Sequence, residues 1–241
     1  SEAAALWSFR NLVVELVSRD IKVRYKRSVL GIAWTMLSPL LNMVALAFVF
    51  SAILKTEVSN YPVYFLTGSL VWTFFSQATG HAASLTVDAL EITRRIYIPR
   101  SVFVASAVGV ALVNLVLSLV PLAIIMVGTR FPFHVTWLFL PIPMAIAALF
   151  TAGIGLLVFT MASRFVDVRE TYLVLLSTWF FVTPIVYTPS ILPPHYQKVL
   201  EWNPMTYLVA VFRAPLYEGR LPSMFDLTVA SELAVVAVGT G

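Results

Sequence analysis

Cysteine is absent from this sequence, so disulfides and thiolate metal sites are both excluded and no redox compartment can be read from it. Charge is scarce. Asp, Glu, Lys and Arg together make up 12% of the 241 residues, where a soluble globule carries about a quarter. There is no GxxxxGK[ST] phosphate loop, no HExxH and no GxSxG. By those routes the chain can neither cradle ATP, hold a catalytic zinc nor present an activated serine. His81, His134 and His195 fall far apart, on spans or loops of different sides, which argues against a shared metal site. The long apolar stretches hold no interior carboxylate to relay protons, so an ion-coupled cycle has no candidate residues. The energy source must lie elsewhere. The N-terminus also shows no short apolar stretch with a small-residue cleavage site, so no cleavable signal peptide is expected.

What fills the sequence instead is apolar. Hydrophobic residues are 59% and the mean hydropathy is strongly positive, a surface that only lipid can hide. A hydrocarbon core of about 30 Å needs about 20 apolar residues in a helix. Charge-free runs at 31–54, 61–85, 101–128, 135–163 and 171–187 meet or approach that length, and a sixth begins near Leu227 and runs to Gly241. The last is read as the first part of a sixth span. Asn42 and Asn114, polar within these runs, read as helix–helix hydrogen bonds rather than ligands.

Lys and Arg are distributed unevenly about the spans. Arg10, Arg19, Lys22, Arg24, Lys26, Arg27, Arg94, Arg95, Arg100, Arg164 and Arg169 fall on one side, and only Lys55, Arg130, Lys198, Arg213 and Arg220 on the other. The positive-inside rule then places the N-terminus in the cytoplasm, with the dense basic run 19–27 facing anionic lipid. The net charge of +4 is split among membrane loops, so it is not a nucleic-acid footprint. From Phe9 to Val23, Phe9, Leu12, Val13, Leu16 and Val23 recur at helical spacing opposite Asn11, Glu15, Ser18, Lys22 and Lys26. This predicts an amphipathic helix in the interface plane, blurred by Arg10 and Asp20. It is either a topology anchor alone or an anchor that also touches a cytoplasmic partner.

The outer stretch between Tyr187 and Asp226 is too long for a plain loop. Pro193 and Pro194 precede HYQKVLEW, and Asn203 followed by Pro204 reads as an N-cap with proline at the first helical position. The apolar segment from Met205 to Leu216 is too short to span and holds Arg213, which would need a polar lining inside a membrane. Two half-helices forming a lid, or two interfacial helices with Trp202 and Tyr207 in the aromatic belt, both fit. Aromatic side chains concentrate in the second run (Trp72, Phe74, Phe75) and the fifth (Trp179, Phe180, Phe181, Tyr187). Their rings suit either a conduit for sugar C–H faces or contact with lipid.

RDIKVRYKRSVLGIAWTMLSPLLN, RRIYIPR, TPIVYTPSILPP and EWNPMTYLVAVFR, in this order and over nearly the whole chain, resemble the ABC-2 type permeases that export polysaccharides such as O-antigen, capsule and teichoic acid. The resemblance implies an all-α polytopic membrane protein of six transmembrane helices, the sixth incomplete. It also implies an interface helix within 1–30, a single transmembrane domain over 31–241 and two outer gate half-helices. It further implies a homodimer, two copies of a separate ABC ATPase subunit that holds ATP and Mg, a lipid-linked polysaccharide substrate, and no cofactor on this chain. Asp88, Glu91, Arg94, Arg95 and Arg100 resemble the loop that docks on the ATPase, and Arg164, Asp167, Arg169 and Glu170 a second cytoplasmic contact. Pro193, Pro194, Trp202, Asn203, Pro204, Tyr207 and Arg213 fall in the gate half-helices. Arg24, Lys26 and Arg27 are expected to attract the anionic head of the substrate.

An ABC-2 exporter of drugs or lipids is the alternative within the class; the aromatic residues and TPIVYTPSILPP favour a glycan. A polytopic membrane glycosyl- or acyltransferase is the alternative outside it. That reading needs convergent acid–base residues, and loops 88–100 and 164–170 supply only scattered carboxylates.

Overall fold

Proline and glycine placement decides where the helices stop. The computed structural model describes residues 7–25, 41, 58–93, 98–165 and 167–241; at 24, 25 and 86–93 the description ends at the backbone. Eight α-helices appear among these residues: α1 (Arg10–Tyr25), α2 (Tyr61–Thr93), α3 (Arg100–Gly128), α4 (Pro141–Ala162), α5 (Asp167–Val182), α6 (Pro194–Glu201), α7 (Pro204–Arg213) and α8 (Met224–Thr240). Short 3-10 turns cover Val135–Phe139 and Pro189–Ile191, a wider π-type turn covers Ala214–Glu218, and no strand occurs among the described residues. Apart from Leu41, the first apolar run at 31–54, with Asn42, and the basic residues Lys26, Arg27, Arg94 and Arg95 lie outside the described residues, as do the side chains of Arg24, Asp88 and Glu91.

Several boundaries differ from the sequence expectation, each for a local reason. The second run does not end at 85: no Gly or Pro interrupts the residues that follow, and α2 continues helically to Thr93. Asp88 and Glu91 therefore belong to a helix rather than a loop. The fourth run does not begin at 135. Pro141 has no N–H to donate and sits at the first helical position, where that loss costs nothing, and α4 starts there instead. The fifth run does not reach 187. Pro184 disfavours helical backbone at Thr183, and α5 ends at Val182. At its other end α5 takes in Asp167, Arg169 and Glu170, and both carboxylates sit in the first turn, where the helix dipole favours them. The sixth helix begins at Met224, three residues early, because the Ser223 hydroxyl caps the Asp226 N–H.

Of the described helices, α3 and α4 are long and apolar enough to cross a membrane. At 1.5 Å per residue, the 16-residue α5 rises about 24 Å, short of a hydrocarbon core of about 30 Å.

α2 is the hub, packed against α3, α4, α5 and α7. Phe74 and Phe75 of α2, Leu122 and Met126 of α3, Ile185 after α5 and Phe212 of α7 are all fully buried. Asn114 of α3 donates to Gln77 of α2 at 3.1 Å, an interhelical hydrogen bond. Phe103 stacks on Phe159 at 6.1 Å, joining α3 to α4. α8 lies on α4 through the small residues Ala230, Ala234 and Ala237. The approach is so close that a Cβ on Gly153 would sit 2.2 Å from the Ala237 carbonyl carbon. α1 rests on α3, where Val17 fills the space a Cβ on Gly109 would need. Leu12, Val13 and Leu16 are half-buried, but Val23, expected on the same face, is 69% exposed. Asp20, the apparent blemish on that face, carries Arg19 at 3.1 Å and lies 3.8 Å from His81 Nε2 on α2.

Candidate functional site

The features expected to carry function gather at two ends of the helical bundle. At one end stand Arg100, the first residue of α3, and Arg164, Asp167, Arg169 and Glu170 at the α4–α5 junction, all exposed. Arg169 and Glu170 are 3.9 Å apart, a weak surface pair. This end is charged and exposed.

The opposite end is built around two residues of α7. Asn203 caps that helix: its Oδ1 accepts from the Met205 N–H at 3.0 Å and also from Trp179 Nε1 at 2.9 Å. Its Nδ2 donates to Thr183 Oγ1 at 3.1 Å and to the Val182 carbonyl at 3.4 Å. All four hydrogen-bonding directions of one buried amide are thereby used, one to cap α7 and three to fasten its start to the end of α5. Pro204 follows at the first helical position, where the missing N–H costs nothing.

Arg213 closes the other end of α7 and is buried, 6% exposed. Its guanidinium lies 3.7 Å over the Tyr64 ring. Nη1 donates to the Tyr64 hydroxyl at 2.9 Å and to the Pro184 carbonyl at 3.0 Å; Nη2 donates to the carbonyls of Ile185 at 3.3 Å and Tyr64 at 3.4 Å. Among the described residues no carboxylate is in ion-pair contact with it, and Glu218 is taken by Arg220 at 2.6 Å. The polar lining such a cation needs is supplied by neutral dipoles and an aromatic face. Gly68 leaves room for it: a Cβ there would meet Nη2 at 2.6 Å. Beyond it, Tyr217 meets the Tyr64 ring edge-on at 5.4 Å, stacks on Phe131 at 5.3 Å and donates its hydroxyl to the Ser59 carbonyl. Burial pushes the Tyr217 phenol above its ordinary pKa, against the opposing pull of the Arg213 charge. Gly219, at φ 68°, turns the chain where the His134 ring leaves no space for a side chain.

The aromatic residues are divided by the fold. Trp72, Phe74 and Phe75 are buried, and Trp179 and Phe180 half-buried. Trp72 packs edge-on against Trp179 at 6.0 Å and Phe180 at 5.7 Å, and Phe75 against Trp179 at 5.4 Å. This cluster holds α5 on α2. Phe181 instead points outward, 70% exposed, and Trp202 is 89% exposed. Tyr187 folds back so that its hydroxyl donates to the carbonyls of Phe181 and Val182. In the two short helices, Pro193 and Pro194 begin α6 and the Tyr207 hydroxyl donates to the Glu201 carbonyl, tying α7 to α6. Tyr61, Tyr64, Thr183 and Tyr217 were not singled out in the sequence. Their only signal there is that they are polar tips beside an apolar run broken by proline.

The family described as ABC-2 type transporter matches residues 11–217. An O-antigen export system permease protein of Myxococcus xanthus is 32% identical over 96% of this chain and 90% of its own length. One of Klebsiella pneumoniae is 26% identical over 88% of this chain and 82% of its own. A polysialic acid transport protein of Escherichia coli is 22% identical over 95% of this chain and 90% of its own.

Proposed function

The chain belongs to the ABC-2 type transporter family, and from that premise we propose that it is the membrane-embedded permease subunit of an ATP-driven exporter of polysaccharide. The observation that carries the substrate class is the end-to-end similarity to permeases named for O-antigen and polysialic acid. The architecture agrees with the class: apolar helices long enough to cross a membrane, one charged end, and an opposite end built from two half-helices. A permease supplies a path and leaves hydrolysis to a partner ATPase; in this reading ATP and Mg belong to that subunit.

The finer reading is as follows. Two copies of the chain pair side by side, each docked on one of two ATPase subunits, with the N-terminus in the cytoplasm. Residues 88–100 and 164–170 receive the motor's stroke. The charged, exposed α4–α5 junction supports this, because a short connection between rigid helices has little slack. Arg24, Lys26 and Arg27 draw the anionic head of a lipid-linked polymer to the cytoplasmic rim. Outward-facing aromatic residues such as Phe181, backed by the packed Trp72, Trp179 and Phe180 cluster, offer rings for sugar faces. α6 and α7 close the outer end.

Deleting the gene and following polymer by compartment tests the proposal. Undecorated polymer should accumulate inside the cell, and an ATPase should co-purify with the chain. Normal export without it would refute the reading.

A further inference from the structure

Between α5 and the outer half-helices, four successive peptide carbonyls lie outside any helix and are each taken by a side chain from elsewhere. Arg213 binds those of Pro184 and Ile185, the Tyr61 hydroxyl binds that of Val186 at 3.0 Å, and the Tyr64 hydroxyl binds that of Tyr187 at 3.0 Å. Because α5 is too short to span, this stretch lies at bilayer depth, where an unpaired carbonyl is costly. We propose that Tyr61, Tyr64 and Arg213 are positioning residues for transport, forming a latch that holds 184–187 against α2 in the closed outer state and releases it as a unit. The inference rests on the exporter reading above.

Three features distinguish a latch from a plain structural clamp. First, these contacts to the four carbonyls run from side chain to backbone, so the stretch can lift without breaking the hydrogen-bond ladder of any helix. Second, the guanidinium meets α2 through the ring, hydroxyl and carbonyl of Tyr64 rather than through a carboxylate, so water can replace those contacts without separating an ion pair. Its Nε has no partner in the closed arrangement, a donor that water would satisfy on opening. Third, the two ends of α7 grip the chain just before and at the start of the stretch, Asn203 at Val182 and Thr183 and Arg213 at Pro184 and Ile185. Displacement of the half-helix is therefore displacement of the stretch. Tyr64 is the pivot: its hydroxyl accepts from Arg213 and donates to Tyr187, so its loss weakens both halves.

The absence of cysteine makes the test clean. Val186 is buried, 6% exposed, so Val186→Cys reports whether the stretch is down or lifted. The probe is a membrane-impermeant maleimide applied to the outer face of the full chain, with and without its ATPase. In the Val186→Cys background labelling should be slow, rising when ATP and polymer are supplied to the complex. Adding Tyr64→Phe should speed labelling roughly 25-fold without nucleotide, the change expected for two hydrogen bonds of ordinary strength. Tyr61→Phe, losing one, should give roughly fivefold. A purely structural role would lower melting temperature and leave the nucleotide dependence intact. Arg213→Lys, which keeps the charge and loses the fork, should behave as Tyr64→Phe. Unchanged labelling in Tyr64→Phe and Arg213→Lys, in protein that remains monodisperse, overturns the latch. The arm without ATPase reads the latch alone, so a failed export assay would sink the exporter reading without deciding this one.

Discussion

Replacing Asn203 by alanine tests how the short helix α7 is attached to α5. The substitution removes the cap of α7, worth about 1 kcal/mol, and strands the Trp179 indole N–H, a part-buried donor whose loss of partner costs about 1–3 kcal/mol. The bonds to Thr183 and Val182 are longer and their groups have other neighbours, so they add little. The sum is roughly 2–4 kcal/mol. For a chain of this size that corresponds to a melting-temperature drop of roughly 5–15 °C, measured in detergent by fluorescence-detected size exclusion at fixed heating time. Asn203→Ser retains the cap alone and should fall in between. Trp179→Phe removes the stranded donor, so Asn203→Ala should cost about 1–2 kcal/mol less in that background than in the wild type. If Asn203→Ala melts within a degree or so of wild type, the amide is not the fastening point described here. Strictly additive effects of the two substitutions would refute the indole contact.

Gly153→Leu should separate α8 from α4 and cost at least about 1–3 kcal/mol, seen as lower yield and a lower melting temperature, because a side chain there meets the Ala237 backbone. Trp72→Ala and Phe181→Ala should part company: the buried tryptophan should cost about 3–5 kcal/mol, whereas the exposed Phe181 should change stability by less than about 0.5 kcal/mol and reduce export if sugars pass over it. Neutralising Arg24, Lys26 and Arg27 together should lower export while membrane insertion, followed by protease accessibility, stays intact; unchanged export would remove them from substrate recruitment.

The division into apolar helices was legible because length and lack of charge suffice to mark a buried or lipid-covered helix, and the Asn203–Pro204 start of α7 because capping is a local code. Other features depended on sites the apolar pattern does not weight. Pro141 and Pro184 sit inside apolar runs and end or start helices there, whereas Pro121 lies within α3 without breaking it, so the presence of proline alone does not say which run is cut. Asp88 and Glu91 looked like loop residues only because they are charged, yet nothing near them breaks a helix. Asp20 looked misplaced on an apolar face until His81 of another helix came within 3.8 Å. Arg213 could be said to require polar company; that this would be a row of carbonyls and a tyrosine ring is a fact of tertiary structure, invisible to spacing.

The N-terminal helix is keyed into a notch. With Val17 seated where Gly109 has no side chain, α1 travels with α3 as a rider with its mount, and not as a raft drifting on the headgroups. Any force felt by its outward residues, whether from lipid charge or from a neighbouring protein, is delivered to a helix that reaches the far side of the bilayer. One end of the bundle thus has a mechanical handle on the other, supplied by the omission of one methyl group.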